Sequence, residues 1–152
     1  MAADVDSKRL FIPGLAGLYE FGAPYAYAFM RFAAGAVLAP HGIQKLLTNS
    51  VDKFAPFIAG KGLPAAELLT VLTFFTESVA AICLAIGLFT RAAAVMIWIE
   101  MAVIITVFQW QFGYFWTKQG YEYALLWWLL CIAIFFGGSG RLSVDRLIGK
   151  EI

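Results

Sequence analysis

Four ionisable side chains, Arg31, His41, Glu77 and Glu100, stand inside long apolar stretches of the chain. A charge at membrane depth is costly and is kept where it faces a protein interior or a wet cavity, so these residues carry the first indication of chemistry. Thr70, Thr73, Glu77 and Ala81 follow a helical 3-4-4 spacing and form one stripe of small and polar side chains. Such a stripe lets a neighbouring helix approach closely, and Glu77 is therefore expected to face inward. Met96, Glu100, Val103 and Val107 share a second face that is otherwise apolar, so Glu100 needs a partner from another helix. Glu77 and Glu100 could meet, or one could pair with Arg31, and together these three make a buried ionisable network.

A second group lies nearer the end of the first apolar run. His41, Gln44 and Lys45 stand at i, i+3 and i+4 behind Pro40, which can open the helical ladder and expose a carbonyl. Arg31 and His41 are about 15 Å apart along such a helix and cannot share one small site. A later run begins Gly120-Tyr121-Glu122-Tyr123, at the level of His41 and close to Gln109, Gln111 and Trp116. Depth along the helices predicts a pocket of His41, Gln44, Tyr121, Glu122 and Tyr123 under an aromatic rim that includes Trp116. Imidazole, carboxylate and phenol are groups that hydrogen-bond a quinone carbonyl and pass protons at a membrane edge. The plainer alternative is that these groups fix helix register and nothing more, and both readings stand at this point.

The elements that must position these groups are membrane helices. Charged residues make up 14% of the 152-residue chain and hydrophobic residues 62%. A soluble domain needs roughly a quarter charged residues to cover its surface, so lipid is the expected solvent. Mean hydropathy is +0.80, and a net charge of +1 leaves no basic field for nucleic acid. The expected fold is all-α: an integral membrane four-helix bundle, antiparallel, with spans at about 25–47, 65–88, 92–109 and 121–138. Residues 1–24 are read as an N-terminal polar and interfacial segment, because Leu10 to Gly22 is interrupted by Pro13, Gly14 and Gly17; residues 139–152 are read as a cytoplasmic tail. No cleavable leader is evident, and the first span is expected to act as the insertion signal. Phe54 and Phe57, between the first two spans, are placed at the headgroup boundary with Trp110 and Trp116.

Four spans put both termini on one side. Lys8, Arg9, Arg91, Arg141, Arg146 and Lys150 fall there, against Lys45, Lys53, Lys61 and Lys118 opposite, which favours cytoplasmic termini. Cys83 and Cys131 form no CxxC pair and are read as small packing residues. No nucleotide-binding glycine loop, nucleophile elbow or metal-ligand cluster is present; no catalytic residue and no metal is assigned, and catalysis by this chain alone is not expected. No covalently bound cofactor is expected.

The order and spacing of several elements resemble the DoxX family of small bacterial membrane proteins, whose relatives include the membrane subunit of thiosulfate:quinone oxidoreductase. Those elements are Arg31 followed by His41-Gly42-Ile43-Gln44-Lys45; Gly62-Leu63-Pro64; Glu77 with Gly87-Leu88-Phe89-Thr90-Arg91; Gly113-Tyr114-Phe115; Gly120-Tyr121-Glu122-Tyr123; and Gly138 to Asp145. The resemblance implies a four-helix membrane fold, a place in the bacterial cytoplasmic membrane and association with redox enzymes. Two departures bear on mechanism. Relatives commonly carry glycines just after the second-helix Glu, where this chain has Ser78-Val79-Ala80, and many have a histidine near the end of the third helix, where it has Phe108-Gln109-Trp110. A haem held by two imidazoles within the chain is excluded because His41 is its one histidine.

The resemblance and the polar pocket together suggest a membrane subunit of a redox complex that anchors a protein partner and takes up quinone near the non-cytoplasmic face. One alternative is an accessory subunit of a larger membrane complex with no chemistry of its own. Another is a carrier of a small molecule or proton, suggested by the mid-span carboxylates.

Overall fold

The computed structural model describes residues 7–48 and 50–151. The polar stretch expected at 1–6, and Asn49 in the first break, lie outside the described residues. Everything regular in the described chain is helical.

Helix α1 runs Ala16–Thr48, 33 residues with Pro24 and Pro40 inside it. At 1.5 Å per residue it is ~50 Å long, well beyond the ~30 Å hydrocarbon layer. It begins earlier than Tyr25: Pro13 sits in a short 3-10 turn, Pro13–Leu15, that leads straight into the helix, a place where its missing N–H costs nothing. Helix α2, Val51–Ala59, occupies what hydropathy reads as a break. Its Ala55 and Ile58 are buried, so it folds back onto the protein instead of trailing as a loop.

Among the described residues two helices are long and apolar enough to cross a membrane: α3, Ala66–Ile86, and α4, Thr90–Phe112. Each contains a π-helical turn, Thr76–Ala80 in α3 and Ile104–Gln109 in α4. Helix α5, Glu122–Gly137, is apolar but 16 residues long, and the short α6, Val144–Ile148, follows it.

Small residues set the closest packing. A Cβ at Gly35 would collide with the backbone of Ala81 and Ala85, and one at Gly42 with the backbone of Glu77 and Ser78. Helix α1 therefore lies on α3 backbone to backbone, which the stripe on α3 invites. Ala81, Leu84, Ala94, Ile97, Cys131 and Ile134 are sealed in the core between α3, α4 and α5. Cys131 is thus a packing residue and Cys83 is half-buried; both are free thiols.

The outward faces are apolar. Val71, Phe75, Val79, Ile82 and Ile86 are all exposed at 44% or more and recur every three to four residues along α3. In water that stripe would be a liability; against lipid tails it is the natural exterior.

The ends of α3 and α4 are tied together by two buried charges. Arg31 Nη1 donates to the carbonyls of Leu84 and Ala85 at 2.6 and 2.7 Å, and Nη2 to Leu142 at 2.7 Å. A cation there complements the C-terminal end of α3. Gly87, at φ +74°, is needed on two counts, because a Cβ would also lie 2.7 Å from the Arg31 guanidinium carbon. Asp145 accepts from the Phe89 and Thr90 amides at 2.7 and 3.0 Å and from the Thr90 hydroxyl at 2.8 Å, capping α4 from a distant part of the chain.

Candidate functional site

The contact of Gly42 with the Glu77 peptide decides what lies beside Glu77. Lys45, one turn further along α1, is carried over α3, and its Nζ lies 2.5 Å from Glu77 Oε2. Glu77 is buried while Lys45 keeps a quarter of its side chain exposed, so the ammonium sits at a mouth and the carboxylate behind it. The same ammonium lies 5.4 Å from the centroid of Phe54 on α2.

Glu77 falls within the π turn of α3, where the widened backbone interrupts the regular stacking of side chains. The π turn of α4 begins four residues after Glu100. Between them is a cavity of about 430 Å³ whose polar lining is Lys45, Thr73, Thr76, Glu77, Glu100 and Gln109. Its remaining walls are apolar, mostly aliphatic, with Phe54, Phe57 and Phe108 among them. Phe57 of α2 and Phe108 of α4 stack at 5.3 Å between centroids and close one side. Phe54 packs on Phe57 at 5.6 Å and on Phe74 at 5.5 Å. Lys61 stands 6.0 Å from the Phe108 centroid. Volume, apolar walls and one convergent polar patch are the marks of a site for an amphipathic small molecule.

Within that patch Glu100 is the unsettled member. Both its oxygens are buried and neither holds a hydrogen bond of good geometry, as is also true of the Gln109 carbonyl oxygen. Thr73, Glu77 and Lys45 are the polar groups that bear on it. An anion left bare in such surroundings is expensive, so Glu100 is complete only with a proton or with a donor brought from outside.

The sequence-derived candidates are distributed differently from the expected pocket. His41 and Gln44 are exposed, flanking the buried Gly42. Glu122 accepts from the Trp116 amide at 3.1 Å, and its own amide donates to the Tyr114 carbonyl at 3.0 Å, so it shapes the turn before α5. Tyr121 stacks on Trp110 at 5.3 Å, and Tyr123 packs on Trp116 at the same separation. Among the described residues no hydrogen bond or ring contact joins His41 or Gln44 to that aromatic group, and none of the six lines the cavity. Of the ionisable network, Glu77 and Glu100 share the cavity, while Arg31 is committed to the carbonyls at the end of α3.

Lys45 was visible in the sequence only as part of the His41 face; its signal was the spacing of three from Gly42. Phe54 and Phe57, read as headgroup anchors, are cavity walls because α2 folds inward. Asp145 gave no periodic signal, since its cap joins it to residues more than fifty positions away.

A family model described as DoxX matches residues 26–110. Every residue lining the cavity falls inside that span, whereas Trp116 and Tyr121 to Tyr123 fall outside it. The chain is also similar to a protein of Haemophilus influenzae described as uncharacterised, at 32% identity over 132 residues, covering 84% of this chain and 94% of that one. No solved structure matches.

Proposed function

The chain belongs to the DoxX family of membrane proteins, and on that footing we propose that it is the membrane subunit of a redox complex and binds quinone in the cavity between α2, α3 and α4. The observation that carries the reading is the cavity itself: an apolar lining in which Phe54, Phe57 and Phe108 offer rings for a quinone to pack against, ending in Lys45, Glu77 and Glu100. The Lys45 ammonium can donate to a quinone oxygen while it holds Glu77, and the isoprenoid tail can leave between apolar helix faces toward lipid.

In this reading α1, α3, α4 and α5 cross the bacterial cytoplasmic membrane as an antiparallel bundle. Both termini lie on the cytoplasmic side, so Lys45 opens toward the opposite face. The chain supplies the membrane anchor and the lipid-soluble carrier's seat; a protein partner supplies the oxidisable substrate. The site residues are Lys45, Glu77 and Glu100, with Phe54, Phe57 and Phe108 as walls, in place of the His41 and Glu122 pocket that depth alone suggests.

The test is extraction of quinone from protein purified in mild detergent, with quantitation per chain. Stoichiometric quinone in the wild type and its loss in Lys45→Met are expected. Wild-type protein that carries none and takes up none on addition overturns the proposal.

A further inference from the structure

The buried polar atoms of the cavity that lack a partner are hydrogen-bond acceptors, while its donors are the Lys45 ammonium, the Thr73 and Thr76 hydroxyls and the Gln109 amide nitrogen. Glu100 presents two buried oxygens without a well-formed partner, and the Gln109 carbonyl oxygen is a third further along the same helix. Thr73 is the hydroxyl beside Glu100 and can satisfy only one of its oxygens. Lys45 already holds Glu77. A ligand that brings a donor of its own completes Glu100.

The two forms of a quinone differ in that respect. The oxidised ring carries two carbonyl oxygens and no donor, so beside an ionised Glu100 it sets acceptor against acceptor, and beside a protonated Glu100 it takes the O–H and leaves the second oxygen bare. The hydroquinone carries two hydroxyls, one of which can donate to Glu100 while the other, across the ring, accepts from the Lys45 ammonium. A lipophilic ammonium would also bring donors, but the aromatic faces that would hold it are already covered by Lys45 over Phe54 and Lys61 over Phe108. Resting on the quinone reading above, we infer that the cavity selects the hydroquinone over the oxidised quinone, and that Glu100 is the acceptor that makes the distinction.

The experiment is equilibrium dialysis of detergent-solubilised protein against a short-tailed benzohydroquinone and the matching benzoquinone, kept reduced and oxidised respectively. The wild type is expected to bind the hydroquinone about tenfold or more tighter, the scale of one hydrogen bond to a charged group. Glu100→Gln, whose amide offers a donor as well as an acceptor, is expected to bring the two affinities within about twofold of each other. Equal or reversed affinities in the wild type overturn the inference while leaving quinone binding in place. An unchanged preference in monodisperse Glu100→Gln protein overturns the role of Glu100, and phenethylammonium bound more tightly than either form overturns the ligand class. Binding of neither form by the wild type removes the quinone reading itself. If Glu100→Gln does not fold, the wild-type ratio alone decides the selectivity.

Discussion

Gly42 of α1 lies against the peptide that joins Glu77 to Ser78, with no room for even a methyl group between them. That contact sets the height and rotation at which α1 meets α3, and Lys45 reaches Glu77 as its consequence. Gly42→Leu is expected to push the helices apart, at a cost of about 1–3 kcal/mol for overpacking, and to break the ion pair. Thermal unfolding in detergent measures the first, and quinone content the second. A Gly42→Leu protein as stable as the wild type would show that α1 does not seat on α3 in this way.

The two members of the ion pair are unequal, and their removal should be unequal too. Lys45→Met leaves Glu77 buried with no counter-charge, the situation that costs about 3–5 kcal/mol in buried pairs. Glu77→Gln leaves Lys45, which reaches the mouth, and should cost less. Chemical or thermal unfolding of the two variants side by side gives the order, and Glu77→Gln proving the weaker protein would contradict it.

At the opposite end, Asp145 is a cap supplied in trans to the sequence of α4. Asp145→Ala removes three hydrogen bonds to Phe89 and Thr90 and leaves their buried donors without partners. The expected loss is about 2 kcal/mol, made of a lost cap and an unsatisfied donor. Asp145→Asn keeps the shape and an acceptor and should recover part of it. The comparison is made by melting temperature, and indifference to both substitutions would deny the cap.

His41→Ala and Glu122→Gln offer a contrast in ligand binding. His41 is exposed and Glu122 is engaged with the Trp116 amide, so neither substitution touches the cavity. Quinone content in both is expected to stay within about twofold of the wild type, far less than the change of about tenfold that a lost charged hydrogen bond produces. Loss of quinone on His41→Ala would return the site to the pocket inferred from depth.

The aromatic wall gives a prediction about shape. Phe57 closes the cavity by stacking on Phe108. Phe57→Ala should weaken binding of hydroquinone and quinone alike, leaving their ratio intact, because it removes packing and no hydrogen bond. A changed ratio measured by the same dialysis would mean that Phe57 does more than pack.

Much of this protein was written in local order. The apolar runs that became α3, α4 and α5 are recognisable because a helix in lipid satisfies its own backbone, so its length and its side-chain polarity suffice to identify it. The inward face of Glu77 was legible from the Thr70, Thr73 and Ala81 spacing, and the need of Glu100 for a partner was legible from the bare face around it. Position along each helix was legible as well, since it is only a count of residues.

Rotation was not. Which face of α1 meets which helix depends on where Gly35 and Gly42 find backbones flat enough to receive them, and that is a property of two surfaces together. The same holds for α2, whose two buried residues are too few to announce a helix until α3 and α4 offer them a groove, and for Asp145, whose partners are far away in the chain. Sequence alone determined that the chain is a helical membrane protein and at what position along its helix each ionisable group stands. The tertiary structure decided that Lys45, and not His41, stands at the mouth, because neighbours around a helix axis are set by packing between helices and not by the order of residues along one.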